Sequence, residues 1–363
     1  MSRPMINHRG PEFKELLARL VERLKALFET RSDLVLLTGS GTAGMEAAAA
    51  NLISAGDRVL VLVGGFFGRR WVEIARAFGA EVEVYEYPWH TGADPDVVAR
   101  RLREHPDIQL IFATHNESST GVLNDIEAIS RCRSQVQSPA LLVVDSVSGL
   151  GGAPLPMDAW GVDVVVTASQ KCLMAPPGVA VVAASPAAWE RAARARAPRY
   201  YLDLRAHREL QEKGQTPWTP ALSVMFALDE SLALLEKEGA PARFARHRLM
   251  RDMVRAGLQA LGMEPFVAER WASPTVTAVR PPEGVSGDEL RRVVARELGV
   301  VLSGGQGPLA GQIVRVGHMG YATPIDMVAT VAAVEMGLRR LGARVEAGRG
   351  VAQAEEVWAR WAS

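Results

Sequence analysis

Between residues 34 and 184 the sequence alternates short apolar runs with runs of helical character. The apolar runs have the length of strands and span residues 34–37, 58–63, 81–85, 109–113, 141–144, 162–166 and 179–184. Predicted helices at 44–54, 69–78 and 96–104 separate the first four, and an amphipathic run at 12–30 precedes them. This alternation predicts an α/β domain whose mostly parallel sheet carries helices on both faces. Ligands of such sheets bind beyond the carboxyl ends of the strands, so functional residues are expected there.

The pattern changes after residue 221. Predicted helices at 221–238, 243–261, 287–297 and 324–341 then dominate, with strands only at 275–279 and 313–316 and a Gly-rich loop at 303–307. These elements predict a smaller α+β domain. The boundary lies near Gly239, which gives domains at 1–238 and 239–363, and a chain of 363 residues is long enough for both.

Composition and charge disfavour several classes of function. Lys+Arg and Asp+Glu both number 41, so a formal net charge of zero favours neither nucleic acid nor an anionic membrane surface as a partner. The two cysteines, Cys132 and Cys172, form neither a CxxC nor a zinc pattern, which indicates a reducing, cytoplasmic setting. The first residues lack the apolar segment of a signal peptide, and no apolar run is long enough to span a bilayer.

One lysine stands where lysine is unusual. Residues 167–178 read TASQKCLMAPPG and place Lys171 between two predicted buried strands, 162–166 and 179–184. Lysine prefers water, so Lys171 lies either on a surface loop that joins the strands or in a site where its amine attacks a carbonyl group. This stretch alone leaves both interpretations open.

A glycine-rich turn follows the first predicted strand. Residues 38–44, TGSGTAG, carry Gly39, Gly41 and Gly44 with GxGxxG spacing between a strand and a helix. This arrangement favours phosphate binding at the helix N-terminus over a simple tight turn. A dinucleotide site would also need an acidic residue at the end of the next strand, where the sequence reads VGG at 63–65. We therefore expect a cofactor phosphate without that ribose contact.

Two further strand ends carry groups suited to a flat, polar ring. Residues 64–71, GGFFGRRW, put two aromatic side chains in a Gly-rich loop, where one either stacks on a ring or covers the core. Residues 114–121, THNESSTG, supply hydroxyl groups for neutral hydrogen bonds. His115 in this loop suggests a general base, but a lone histidine is more often structural.

Asp145 ends the apolar strand 141–144. A carboxylate there needs a partner, which is a metal ion, a helix cap or a cationic ring nitrogen. No cluster of Asp, Glu or His accompanies it, which disfavours a metal.

Pyridoxal 5'-phosphate (PLP) matches the combination of the phosphate loop, an aromatic face, Asp145 and Lys171. PLP needs a lysine for its Schiff base, a carboxylate that keeps its pyridine nitrogen protonated, and a stacking aromatic ring.

The sequence as a whole resembles the class V, fold-type I PLP-dependent aminotransferases, in the subgroup of serine–glyoxylate and alanine–glyoxylate aminotransferases. The matching segments are TGSGTAGMEAAAAN (38–51), GGFFGRR (64–70), THNESSTGVL (114–123), VVDSVSGLGG (143–152), TASQKCLMAPPG (167–178), TPWTPA (216–221), SGGQGP (303–308) and VRVGHMG (314–320). The resemblance implies the PLP-transferase fold type I. This fold has a large domain with a mostly parallel mixed sheet flanked by helices, and a smaller α+β C-terminal domain.

The resemblance also implies roles for single residues. Lys171 forms the Schiff base and moves a proton, Asp145 pairs with the pyridine nitrogen, and Arg315 binds the substrate carboxylate. The other implied cofactor contacts are Phe67 and Val147 on the two ring faces, Ser118 at the ring hydroxyl, Ser40, Gly41, Thr42 and Gln170 at the phosphate, and Thr219, which reaches the phosphate from the other subunit of a homodimer.

The expected activity is a ping-pong transamination from serine or alanine to glyoxylate or pyruvate. Small donors are expected because one arginine, Arg315, is in place for a carboxylate and no second one is evident. Another class V enzyme is the main alternative, either a ureidoglycine or aspartate aminotransferase or a cysteine desulfurase-like lyase, which would need a nucleophilic cysteine. A nicotinamide-dependent oxidoreductase based on the GxGxxG spacing and a non-catalytic binding protein are the remaining alternatives.

Overall fold

The fold is built around a seven-stranded sheet. The computed structural model describes residues 4–361; the first three and last two residues, which the predicted domains include, lie outside the described residues. The strands of the first half are β1 Asp33–Gly39, β2 Arg58–Val63, β3 Glu81–Glu86, β4 Leu110–Thr114, β5 Asn116–Glu117, β6 Val122–Leu123, β7 Leu141–Asp145, β8 Val164–Ala168 and β9 Gly178–Ala184. β5 and β6 form a separate pair, and the main sheet has the order β1-β9-β8-β7-β4-β2-β3.

The sheet is mixed and mostly parallel, as the sequence predicts. Strands β8, β7, β4, β2 and β3 pair in parallel, and β9 runs antiparallel to both of its neighbours, β8 and β1. Because β9 reverses direction, the loop from β8 to β9 leaves and returns at the carboxyl edge of the parallel strands. Gly39 at the end of β1 pairs with Gly178 at the start of β9. The ends of β1, β4, β7 and β8 therefore meet along one edge.

Helices cover both faces of this sheet. They are α1 Pro11–Phe28, α2 Gly41–Leu52, α3 Phe66–Ala77, α4 Pro95–Glu104, α5 Ile126–Gln135, α6 Pro186–Arg194, α7 Leu204–Glu212 and α8 Leu222–Glu238. Strand β2 shows the reason, because its successive side chains point to opposite faces. Leu60 and Leu62 join the core that includes α1 and α8. Val59, Val61 and Val63 join the core beneath α2 and α3.

The C-terminal part has its own antiparallel sheet and core. Strands β10 Glu264–Pro265, β11 Val276–Arg280, β12 Ser303–Gly304 and β13 Val314–Gly317 have the order β10-β11-β13-β12. The helices are α9 Ala240–Ala260, α10 Gly287–Leu298, α11 Pro324–Arg340 and α12 Arg349–Trp361, with short 3-10 turns at Glu269–Trp271 and Gly307–Leu309. Their apolar faces enclose a third core around Met253, Val279 and Val331. Within residues 4–361 no helix has both the length and the apolar character needed to cross a bilayer.

Helices α2, α3 and α9 each begin three residues earlier than the sequence indicates. α2 starts at Gly41 and α3 at Phe66, whereas the predicted helices start at 44 and 69. The expectation that both aromatics of 64–71 lie in a loop is therefore wrong, because Phe66 and Phe67 form the first turn of α3. Helix α3 can begin there because Glu117, distant in sequence, accepts hydrogen bonds from the N–H groups of Phe67 and Gly68.

Candidate active site

The carboxyl edge of the main sheet carries a cleft of about 140 Å³. Nine of the residues predicted for the cofactor and its chemistry line it together: Ser40, Gly41, Thr42, Phe67, Ser118, Asp145, Val147, Gln170 and Lys171. They follow the ends of five different strands, β1, β2, β4, β7 and β8. The strand order thus unites residues that lie far apart in the chain.

The loop that carries Lys171 is fixed by hydrogen bonds of its own. Ser169 Oγ donates to Pro176 O at 2.6 Å, and Ala175 N–H donates to Ser169 O at 2.9 Å. Met174 takes a positive φ of 60°, in the left-handed region, as the chain turns back toward β9. These contacts hold the backbone on both sides of Lys171, which lines the cleft.

The N-terminus of α2 forms one end of the cleft. Ser40 is its N-cap residue, and the Ser40 side chain makes no capping hydrogen bond. Free N–H groups at a helix N-terminus are a favourable site for a phosphate. A Cβ atom on Gly41 would lie only 2.7 Å from Val147 Cγ2, so a glycine is needed for Val147 to pack there. Gln170 Oε1 is buried at this end without a hydrogen-bond partner among the described residues.

Asp145 is a buried carboxyl group with one polar contact in the cleft. Its Oδ1 accepts a hydrogen bond from Val147 N–H at 2.8 Å. Burial raises the pKa of Asp145 to about 7, although the Val147 hydrogen bond and the positive charges of Arg70 and Lys171 lower it. A cationic partner in the cleft would lower that pKa and keep the carboxylate ionised at neutral pH.

A second buried carboxylate positions Phe67. Glu117 Oε2 accepts from Phe67 N–H at 3.0 Å and Gly68 N–H at 2.9 Å, while Oε1 accepts from Ser119 N–H at 3.1 Å and Ser119 Oγ at 2.6 Å. Burial raises the pKa of Glu117, and these hydrogen bonds act against that rise. A Cβ on Gly65 would lie 2.4 Å from Glu117 Cδ, so this glycine makes room for the carboxylate. Sequence analysis missed the role of Glu117.

Arg315 lies beside the cleft but is not among the residues that line it. Its Nε donates to Gly304 O at 2.8 Å, and its Nη1 donates to Ser118 O. Both contacts are with carbonyl oxygens, and within residues 4–361 no carboxylate pairs with Arg315. Burial lowers its pKa from the ordinary value, and the charge of Glu117 acts in the opposite direction. Arg315 is therefore a half-buried cation adjoining Ser118.

Thr219 is not brought into this cleft. It is exposed in the segment between α7 and α8, next to Trp218. Trp218 stacks on Tyr201 with ring centroids 5.6 Å apart and donates from Nε1 to Tyr201 O at 3.0 Å. Within one chain, then, Thr219 stays apart from the phosphate-binding residues predicted from the sequence.

Four residues line the cleft that sequence analysis did not identify: Met45, Arg70, Asn116 and Ser148. Arg70 Nη1 donates to Thr42 Oγ1 at 2.9 Å, and its guanidinium carbon lies 4.8 Å from the centre of the Phe67 ring. Met45 and Arg70 each lie three residues after a predicted ligand, on the same helix face. That relation was hidden because the predicted helices start too late to include Thr42 and Phe67.

His115 and the two cysteines are not equipped for catalysis. His115 Nδ1 is 2.9 Å from Ser146 Oγ, and burial lowers its pKa to about 4, which leaves the ring neutral. Burial raises the pKa of Cys172 to about 12 and that of Cys132 to about 11. Because the thiolate is the nucleophile, both cysteines are unreactive at neutral pH. This disfavours a cysteine desulfurase-like reaction.

The donor set of the cleft fits PLP. One end offers the first turn of α2 to a phosphate, and Gln170, whose amide NH₂ is a hydrogen-bond donor, lines the same cleft. Phe67 and Val147 line the cleft as apolar groups suited to the two faces of a ring. Asp145 is a buried carboxyl group suited to a cationic ring nitrogen, and Lys171 supplies an amine for an aldehyde. No acidic residue ends β2, where a dinucleotide ribose would require one.

Comparison with known proteins gives consistent matches. A family model described as aminotransferase class-V matches residues 2–327. The soluble hydrogenase 42 kDa subunit of Anabaena cylindrica is 40% identical, over 97% of this chain and 92% of that protein. The L-aspartate–glyoxylate aminotransferase of Paracoccus denitrificans is 36% identical, over 97% of this chain and 90% of that protein. The solved alanine–glyoxylate aminotransferase of a Nostoc species has a TM-score of 0.88 and 31% identity, covering 93% of this chain and 90% of that chain.

Proposed function

This chain belongs to the class-V aminotransferases, and we propose that it moves the amino group of serine or alanine to glyoxylate or pyruvate by a ping-pong mechanism. As a member of this family it is a PLP-dependent transaminase. The observation that carries the proposal is the meeting of Lys171, Asp145 and a phosphate-binding helix N-terminus in one cleft. Glyoxylate as acceptor is supported by the names of two similar proteins, the aspartate–glyoxylate and alanine–glyoxylate enzymes.

The proposed chemistry assigns one task to each side chain. Bound PLP supplies an aldehyde that condenses with amines and a ring that takes up electrons. Lys171 Nζ would hold the aldehyde group of PLP, and as a free amine it would be the group that moves the proton of the substrate α-carbon. Asp145, as a carboxylate, keeps the ring nitrogen protonated. Phe67 and Val147 would contact the two faces of the ring.

For substrate binding we propose Arg315. Its Nε and Nη1 are held by the carbonyl oxygens of Gly304 and Ser118, which leaves Nη2 for a substrate carboxylate. The other arginine at the cleft, Arg70, is bonded to Thr42 at the phosphate end. A single arginine near the substrate position supports donors with one carboxylate, such as serine and alanine.

We propose that the active enzyme is a homodimer in which Thr219 acts on the cofactor phosphate bound by the partner subunit. The support is that Thr219 is exposed and does not line the cleft of its own chain. Mixing Lys171→Ala with Thr219→Ala protein tests this proposal. Mixed dimers then contain one site with both an intact Lys171 and an intact Thr219, so tight PLP binding and activity should return. No recovery in dimers shown by mass to have mixed would refute it.

A donor and acceptor panel tests the proposed reaction. The holoenzyme is mixed with serine, alanine, aspartate or ureidoglycine, and the visible absorption band of bound cofactor is followed for conversion. Each converted sample is then mixed with glyoxylate, pyruvate or 2-oxoglutarate and the recovery of the band is followed. We expect serine or alanine to convert the band and glyoxylate or pyruvate to restore it. Faster conversion by aspartate or ureidoglycine would favour that alternative instead.

We also propose that residues 1–238 and 239–363 act as two domains. The seven-stranded sheet lies in the first range and the four-stranded sheet in the second. Helix α8 ends at Glu238 and α9 begins at Ala240, with Gly239 at a positive φ of 77° between them. Limited proteolysis should cut near this junction; cuts confined to other segments would contradict the division.

A further inference from the structure

We propose that Arg70 binds the phosphate group of PLP and makes the cleft selective for phosphorylated over unphosphorylated pyridoxal. This inference depends on PLP as the cofactor and is independent of which amino acid is the donor.

Arg70 lies close to the residues predicted at the phosphate. Arg70 lies one turn after Phe67 in α3 and lines the same cleft as Ser40, Gly41 and Thr42. Its Nη1 donates to Thr42 Oγ1 at 2.9 Å. Thr42 is in the first turn of α2, whose N–H groups face the phosphate position. The guanidinium of Arg70 is therefore next to the position expected for the phosphate.

Arg70 also supplies the positive charge that a phosphate needs. The other residues predicted at the phosphate are neutral: Ser40, Gly41, Thr42, Gln170 and, from a partner subunit, Thr219. A phosphate monoester carries nearly two negative charges at neutral pH, and a helix N-terminus supplies only about half a positive charge. The amine of Lys171 is used at the aldehyde. Arg70 is then the remaining cation among the residues that line the cleft.

Arg70 forms no ion pair within residues 4–361, although its charge is close enough to Asp145 to lower the pKa of that carboxyl group. The contacts of Arg70 are the Thr42 hydroxyl and the faces of Phe67 and Phe66, whose ring centres lie 4.8 and 5.5 Å from its guanidinium carbon. The neighbouring Arg69 differs, because it is exposed and forms an ion pair with Glu86 at 2.8 Å. The aromatic rings orient the planar guanidinium and leave its remaining N–H groups for a phosphate, which such a fork binds well.

The experiment compares PLP with pyridoxal, which lacks only the phosphate. Cofactor-free wild-type, Arg70→Gln, Arg70→Lys and Arg69→Gln proteins are titrated with each compound, and dissociation constants are read from the absorption band. Arg70→Gln should weaken PLP binding about 10- to 100-fold, as expected for loss of a charged hydrogen bond. Pyridoxal binding should change by less than about threefold. Arg70→Lys should recover part of the PLP affinity, and Arg69→Gln should match wild type.

The other outcomes are equally informative. An equal loss of PLP and pyridoxal affinity in Arg70→Gln would overturn the proposal, because Arg70 would then act only by holding the Phe67 ring. Unchanged affinity for both compounds would also overturn it. Binding of pyridoxal shows that the cleft of a variant is intact. If Arg70→Gln does not fold, the test uses Arg70→Met, which keeps an unbranched side chain and removes the charge. Failure of wild-type protein to bind PLP at all would instead refute the family function.

Discussion

Asp145 should make the cofactor-free protein less stable as pH rises, and Asp145→Asn should remove most of that effect. The carboxyl group is buried, and its pKa is raised by burial to about 7 from an ordinary value of 3.8. The folded protein therefore binds this proton more tightly than the unfolded chain does. The resulting stabilisation is complete below pH 3.8 and is lost as pH rises through about 7.

The magnitude follows from the two pKa values. At 1.36 kcal/mol per pKa unit, the interval from 3.8 to about 7 corresponds to about 4 kcal/mol. Water in the open cleft screens part of this, so we expect cofactor-free Asp145→Asn to exceed wild type at pH 8 by about 1–4 kcal/mol. An amide oxygen can still accept the Val147 N–H bond. The same variant should lose PLP affinity and nearly all turnover, because a neutral amide does not keep the ring nitrogen protonated.

Urea unfolding of the cofactor-free proteins between pH 5 and 8 measures this effect. The control is Asp107→Asn, since Asp107 is an exposed carboxylate whose replacement should change stability by less than about 0.5 kcal/mol. We expect the difference between Asp145→Asn and wild type to grow with pH. If Asp145→Asn is equally or less stable than wild type at pH 8, the carboxylate is not desolvated and the reasoning fails.

Three further changes test other parts of the site. Glu117→Gln keeps only one of the two oxygens that accept the four hydrogen bonds from Phe67, Gly68 and Ser119, so the free energy of unfolding should fall by about 1–3 kcal/mol. An unchanged urea midpoint would contradict this. Gly41→Ala puts a Cβ 2.7 Å from Val147 Cγ2 and should weaken PLP binding at least about tenfold. Adding Val147→Ala should restore part of the PLP affinity, and no recovery of affinity would show that the strain lies elsewhere. Arg315→Ala should raise KM for every carboxylate substrate by about 10- to 100-fold in steady-state assays, and an unchanged KM would remove Arg315 from the site.

Much of the fold could be predicted because buried strands have a strong local signal. Each of the seven strands of the main sheet was expected from a short apolar run, and each lies within two residues of its predicted bounds. Helices α5, α6, α7 and α12 were not among the predicted helices, because few of their residues are both apolar and buried. In α7, for example, only Leu204 and His207 are buried, so few apolar residues mark the helix in the sequence.

The sequence alone also placed Asp145 at the end of a strand and Lys171 between two strands, because apolar runs mark the strands themselves. Glu117 was missed for the opposite reason. Its partners, the N–H groups of Phe67 and Gly68, are backbone groups about 50 positions earlier in the chain. Only the order of strands, with β2 beside β4, brings them within hydrogen-bond distance.

Arg69 and Arg70 show most clearly what each source of information decided. The sequence determines that two adjacent arginines follow a glycine-rich strand end, and nothing in it distinguishes them. Successive residues of an α-helix point about 100° apart, so the placement of α3 against the sheet decides which arginine meets water and which meets the cleft. The tertiary structure turns Arg69 toward Glu86 at the surface and Arg70 toward Thr42. The local sequence pattern determined the helices, the strands and the residues able to do chemistry. Packing between segments that are distant in the chain decided which of those residues lie together in the cleft.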